Sequence, residues 1–163
     1  MIQTLCEPVN EHIIEMLIFI DALKRASAER INLVIPHFAY ARQDKKFKSR
    51  EPISAKLIAN LIQVAGTHRV LTLDLHSAPI QGFFDIPVDN LTALTLFDEY
   101  ISKQKDDNFV IVAPDEGAMK RTTSFANEMQ ADIAFMNKIR RKDNEAEILN
   151  VIGEVNERNC IIV

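Results

Sequence analysis

The run Ile31-Asn32-Leu33-Val34-Ile35-Pro36 is apolar, rich in β-branched residues, and stopped by a proline. That composition predicts a buried strand of a parallel sheet over 31–35. On its N-terminal side, residues 10–28 carry apolar side chains at helical spacing (Ile13, Leu17, Ile20, Leu23, with Ile14 and Ile18 beside them), with Asn10 placed to cap. On its C-terminal side, Pro52 opens a second helix to Val64, with Leu57, Leu61 and Val64 on one face and Gly66 closing it. A strand at 70–75 follows. The alternation continues with a loop centred on Gly82 and its aromatic pair Phe83 and Phe84, a helix at 93–103, a strand at 109–113, a helix at 117–130 and a strand at 133–136. Weaker strand signals lie at 148–152 and 160–163, and the first residues, Ile2 to Leu5, are strand-like too. Strand and helix in regular alternation predict an α/β fold with a largely parallel sheet. The polar run Lys103 to Asn108 suits either a domain boundary or a solvated helix end.

The chain has 163 residues, 47% hydrophobic and 26% charged, with a formal net charge of −4. A mildly acidic chain lacks the basic face of a dedicated nucleic-acid binder. No segment approaches the roughly 20 apolar residues of a membrane span, and no signal pattern opens the chain, so a cytoplasmic protein is expected. The four glycines stand apart at 66, 82, 117 and 153, which excludes a Walker loop and a G-x-G-x-x-G fingerprint. Any nucleotide site is built another way. Cys6 and Cys160 form no metal or disulfide pattern and read as small buried hydrophobes.

Candidate chemistry falls at the predicted carboxyl ends of strands, the edge where α/β sheets bind ligands. After the first strand, residues 42–50 hold five cations (Arg42, Lys45, Lys46, Lys48, Arg50) against the single carboxylate of Asp44. Guanidinium forks there suit a nucleotide polyphosphate, and Phe38, Tyr40 or Phe47 could stack on a base; the alternative is a solvated loop with its aromatics in the core. At the next strand end, alternation puts Asp74 and His76 on one face, with Asp85 and Asp89 following. That set suits Mg²⁺ carried by a nucleotide, which needs one or two protein ligands; alternatively His76 bonds to backbone. Asp115 opens a helix, as its cap or as a second carboxylate near the ion. The run Lys138-Ile139-Arg140-Arg141-Lys142 reads as another strand-end basic loop, either stabilising phosphoryl charge or simply solvated.

The runs Tyr40-Ala41-Arg42-Gln43-Asp44-Lys45-Lys46, Asp74-Leu75-His76 through Ile80-Gln81-Gly82-Phe83-Phe84-Asp85-Ile86-Pro87-Val88-Asp89-Asn90, and Pro114-Asp115 closely resemble ribose-phosphate diphosphokinase, the phosphoribosyl pyrophosphate synthetase family. The resemblance implies a phosphoribosyltransferase-like fold in two tandem domains, both incomplete: 1–91 as the remainder of the first and 92–163 as the start of the second. It implies transfer of the β,γ-diphosphoryl group of Mg-ATP to the C1 hydroxyl of ribose 5-phosphate, giving phosphoribosyl pyrophosphate and AMP. By matching position, Arg42 and Gln43 bind ATP, His76 and Asp115 hold Mg²⁺, Lys138 and Arg140 form the catalytic loop, and Arg140 also touches the sugar phosphate. A homo-oligomer is implied for full-length members. Pro79 stands where the family usually has Gln, and Phe47 where it commonly has an acidic or small residue. Ala78 and Thr92 occupy the places of a Ser and a Tyr that serve allosteric control in some members. The expected chain lacks the family's N-terminal segment and its C-terminal ribose-phosphate loop. It is therefore expected to be impaired in catalysis on its own, or to act as a non-catalytic nucleotide-binding or assembly partner.

Overall fold

The computed structural model describes residues 1–103, 108–142 and 145–163, with side chains described for these except 138–149. The chain divides into two compact units, Met1–Ala93 and Leu94–Val163. Most of the Lys103 to Asn108 run lies outside the described residues.

In the first unit, helix α1 (Val9–Arg25) leads to β1 (Asn32–Ile35), α2 (Ser54–Ala65), β2 (Arg69–Leu73) and β3 (Val88–Leu91). The sheet order is β1-β2-β3, all parallel, with Val34 opposite Leu71 and Leu71 opposite Asp89. The strand-like start of the chain runs parallel beside β1, where Ile2 bridges to Val34. One sheet face carries Leu33, Ile35 and Val70 into a core shared with Ile13, Met16 and Ile20 of α1 and Ala55, Ile58, Ala59 and Ile62 of α2. Truncating a fully buried member such as Met16 or Ile35 costs about 2–5 kcal/mol.

Several expectations are corrected here. Helix α1 begins at Val9 with Pro8 in the cap position, so Asn10 lies inside the first turn and its Oδ1 accepts from the Tyr40 hydroxyl at 2.5 Å. Helix α2 starts after Pro52, and its predicted apolar face is the outward one: Leu57, Leu61 and Val64 are exposed. The buried stripe is Ala55, Ile58, Ala59 and Ile62, because two alanines one turn apart let the helix backbone approach its neighbours closely. Gly66 does close α2, with φ 121, a left-handed value that favours glycine. Strand β3 was hidden by its two polar residues, Asp89 and Asn90. The loop around Gly82 is a 3-10 turn, Ala78–Phe83, that buries Ile80. Phe84 beyond it meets Phe38 edge to face, with centroids 5.8 Å apart, and Phe83 is half-buried. Both cysteines are exposed, because Cys6 precedes α1 beside His12 and Cys160 lies on an edge strand.

The second unit comprises α3 (Leu94–Ser102), β4 (Phe109–Ala113), α4 (Met119–Glu128), β5 (Asp132–Lys142), β6 (Glu145–Ile152) and β7 (Asn159–Ile162). The sheet order is β6-β5-β4-β7, parallel except for the β5–β6 pair. Central strand β4 is buried at all five residues: Phe109 and Ile111 pack with Phe125, Ala126 and Met129, and Val110 and Val112 with Ala134. The predicted basic loop at 138–142 is instead the far half of β5. Lys138 pairs with Ile148 and Arg140 with Ala146, so antiparallel pairing satisfies backbone groups that a loop would expose. Register shifts between Asn137 and Lys138 and between Arg140 and Lys142 break the ladder, and such bulges re-aim the strand that carries them.

Candidate nucleotide site

Strands β1 and β2 are parallel neighbours, so the segments leaving their carboxyl ends emerge side by side. The ladder persists to Leu73, whose N–H donates to Pro36 O at 3.3 Å. Beyond Pro36 the chain buries Phe38, Ala39 and Ala41, which anchor the loop from below. Tyr40, at φ 61, turns the chain, and Gln43 N–H donates back to Tyr40 O at 2.9 Å. Arg42 is exposed. Gln43 is held twice from α2: its carbonyl accepts from Ala55 N–H at 3.2 Å, and its Oε1 accepts from Ser54 Oγ at 2.5 Å.

Farther along the loop, Glu51 Oε2 accepts from the N–H groups of Phe47 and Lys48, both at 2.9 Å. These two bonds, that from Lys48 foremost, hold the Glu51 carboxyl below its ordinary value. The turn they make presents Phe47, 72% exposed, with Lys45 Nζ 5.2 Å from the ring centroid. Of the three candidate stacking aromatics, Phe38 is in the core, whereas Tyr40 and Phe47 reach the surface.

After β2, Asp74 adopts φ 44 and the chain swings toward β3. Its N–H donates to Leu91 O at 2.8 Å, and its two carboxylate oxygens accept from Thr92 Oγ1 at 2.9 Å and Ala93 N–H at 3.0 Å. Leu75 N–H donates to Asn90 Oδ1 at 3.1 Å. Asp74 is thus a strut of the turn, and it leaves exposed His76 as the nearby candidate ligand. Asp89 is spent as well: Arg69 Nε and Nη2 grip both its oxygens, which lowers the carboxyl and raises the guanidinium from their ordinary values. Next to His76, Ser77 Oγ donates to Asp44 Oδ2 at 2.5 Å. That bond joins the loop of Arg42 and Gln43 to the turn of His76. The sequence reading counted Asp44 only as the loop's single carboxylate and passed over Ser54, which opens α2, and Ser77, uncharged residues that nothing in the sequence sets apart.

In the second unit, β4 lies between its parallel neighbours β5 and β7, and sheets so connected bind ligands beyond the carboxyl ends of such strands. Asp115 stands there. Its Oδ1 caps the 3-10 turn Glu116–Ala118 by accepting from Ala118 N–H at 3.0 Å, so the capping alternative is realised. Lys138 and Arg140 belong to this unit through β5, and their side chains lie outside those described.

Among the described residues, no group of three or more His, Cys, Asp or Glu could hold a metal ion. Within its own unit, His76 or Asp115 offers a single donor, fewer than Mg²⁺ takes, so each would suit only an ion that arrives with its nucleotide and keeps phosphate and water oxygens. Among the described residues no helix is long and apolar enough to cross a membrane.

The family model described as the N-terminal domain of ribose phosphate pyrophosphokinase matches residues 1–66. The ribose-phosphate pyrophosphokinase of Thermosipho africanus is 56% identical over 164 residues, covering 99% of this chain and 52% of the relative. That of Clostridium acetobutylicum is 53% identical over 165 residues, covering 100% and 52%. The crystal structure of phosphoribosylpyrophosphate synthetase from Mycobacterium smegmatis superposes with a TM-score of 0.88 at 42% identity, covering 99% of this chain and 52% of that one. The chain spans about half the length of the curated relatives it matches. In sequence over nearly its whole length and in its α/β fold, the chain is similar to the ribose-phosphate pyrophosphokinases, and residues 1–66 match the model of their N-terminal domain.

Proposed function

We propose that this chain binds Mg-ATP and serves the transfer of the β,γ-diphosphoryl group of ATP to the C1 hydroxyl of ribose 5-phosphate, giving phosphoribosyl pyrophosphate and AMP. One observation carries the reading: two loops from neighbouring parallel strand ends, one bearing Arg42 and Gln43 and the other His76, are tied together by Ser77 and Asp44. In this reading residues 1–91 belong to a first α/β domain and 92–163 to a second. Cytoplasmic residence and self-association of the full-length form go with it.

Each residue has a definite task. The Arg42 guanidinium takes phosphate oxygens in a two-pronged fork, and Gln43, its Oε1 already engaged, donates from Nε2. His76 in the first unit, and Asp115 in the second, would each serve as a ligand for Mg²⁺ that travels with ATP, and the ion would neutralise phosphate charge. Lys138 and Arg140 stabilise charge spreading over the transferred group, and Arg140 also meets the sugar 5-phosphate. Diphosphoryl transfer is an in-line displacement at the β-phosphorus, so the protein contributes positioning and electrostatics and no nucleophile.

Calorimetry of the purified chain with Mg-ATP tests the binding half: heat is expected, and Arg42→Ala weakens it. An isotherm unchanged by Arg42→Ala removes the ATP role. Adding ribose 5-phosphate and following AMP separates a catalytic chain from one that only binds nucleotide.

A further inference from the structure

We propose that Ser77 and Asp44 are a positioning pair, which fixes the cationic loop after β1 against the His76 turn so that both address one Mg-nucleotide; the inference rests on the Mg-ATP reading above. Asp44 is the only carboxylate among residues 42–50, surrounded in sequence by Arg42, Lys45 and Lys46. Left to itself, it would pair with those cations and compete with a phosphate for them. The structure instead turns it toward β2, where the Ser77 hydroxyl donates to Oδ2 at 2.5 Å in a half-buried setting. The bond has an ionised acceptor, the stronger class of hydrogen bond.

Both ends of the pair sit on braced backbone. On the Asp44 side, Gln43 is pinned to α2 through Ser54 Oγ and Ala55 N–H. On the Ser77 side, Asp74 and Leu75 are tied to the end of β3 through Leu91, Thr92, Ala93 and Asn90. The pair thus links two segments that are each held by a different neighbour, and the residues it links, Gln43 and His76, are the ones next to it in sequence. Removing the hydroxyl is expected to loosen the relative placement of the loops while leaving each attached to its own support.

The test uses the whole 163-residue chain with Ser77→Ala, Asp44→Ala, the double variant and Ser77→Thr. Threonine keeps the hydroxyl, and the extended backbone at residue 77 (φ −146, ψ 143) accepts a β-branched side chain. Expected for Ser77→Ala are faster amide exchange in residues 42–48 and 75–78, a melting temperature lowered by a few degrees at most, and Mg-ATP affinity weakened roughly tenfold. Asp44→Ala is expected to weaken Mg-ATP binding to a similar degree, the double variant to be no weaker than either single one, and Ser77→Thr to restore binding. Unchanged exchange in Ser77→Ala, additive losses in the double variant, or undiminished Mg-ATP binding would each overturn the proposal. If the unmodified chain gives no heat with Mg-ATP, the nucleotide reading fails and the pair's role falls with it. That failure is distinct from one in which the unmodified chain binds and Ser77→Ala binds equally well.

Discussion

The Ser54 hydroxyl donates to Gln43 Oε1 across 2.5 Å, so the first residue of α2 fixes the amide of a residue eleven positions earlier in the chain. The carbonyl end of Gln43 is thereby occupied, and the Nε2 end, with two donors, is the part that can meet a phosphate oxygen or a base nitrogen. Gln43→Glu keeps an acceptor for Ser54 but exchanges the donor for an anion. Mg-ATP affinity is expected to fall at least about tenfold in Gln43→Glu with little change in melting temperature. Titration calorimetry on the two proteins decides, and equal affinities would mean that Gln43 does not face the nucleotide.

The parallel strands were legible in sequence because Ile31 to Ile35 and Phe109 to Ala113 are dense in β-branched or aromatic side chains; central β4 buries both faces, whereas β1 buries Leu33 and Ile35 on one face. Which face of α2 turns inward was not legible. Leu57, Leu61 and Val64 satisfy helical spacing as well as Ile58 and Ile62 do, and only the alanines at 55 and 59, which permit close approach, separate the two stripes. Positions 138–142 were misread for a similar reason: a charged run says loop when taken alone, and its strand state depends on antiparallel pairing with β6. At the candidate site, the charges of Arg42 and His76 could be read directly. The bonds that set their surroundings, Ser54 to Gln43 and Ser77 to Asp44, join segments whose proximity exists only after folding.

Glu51 gives the basic loop a pH dependence of definite sign. Its carboxylate accepts the N–H groups of Lys48 and Phe47, and its folded-state value lies below the unfolded one. The stabilisation is therefore complete above the ordinary carboxylate range and is lost as pH falls through the depressed folded value. Amide exchange at Phe47 and Lys48, referenced to neighbouring amides, is expected to rise on that acid side. Glu51→Ala, which removes the acceptor, should show fast exchange at those two amides at every pH, whereas Glu51→Gln, which keeps one acceptor oxygen, should lose the acid dependence; retained protection in Glu51→Ala would contradict the assignment.

Gly153 follows β6 with φ 112, and an added Cβ would lie 2.8 Å from Ile133 O and 2.9 Å from Ala134 Cα. Both obstacles are backbone of β5, so no side-chain rotation relieves them. Gly153→Ala is expected to destabilise the second unit by about 1–3 kcal/mol. Denaturant unfolding followed by amide exchange in β5 and β6 measures it, and a neutral result would show that the turn relaxes freely.

Asp74 separates a structural from a metal-binding role for the first carboxylate of the Asp74-Leu75-His76 run. It sits at φ 44 and spends both oxygens on Thr92 and Ala93. Asparagine tolerates that backbone and keeps one acceptor, whereas alanine tolerates it less well and keeps none. Asp74→Ala is expected to cost about 2–3 kcal/mol of first-unit stability, and Asp74→Asn about 1 kcal/mol or less. Because the role is structural, both losses should be the same with and without Mg²⁺, and Asp74→Asn should keep most of its Mg-ATP affinity while His76→Ala does not. If Asp74→Asn instead abolished Mg-ATP binding at unchanged stability, the ion would have to be drawing on Asp74, and the bonds to Thr92 and Ala93 would have to yield when nucleotide binds.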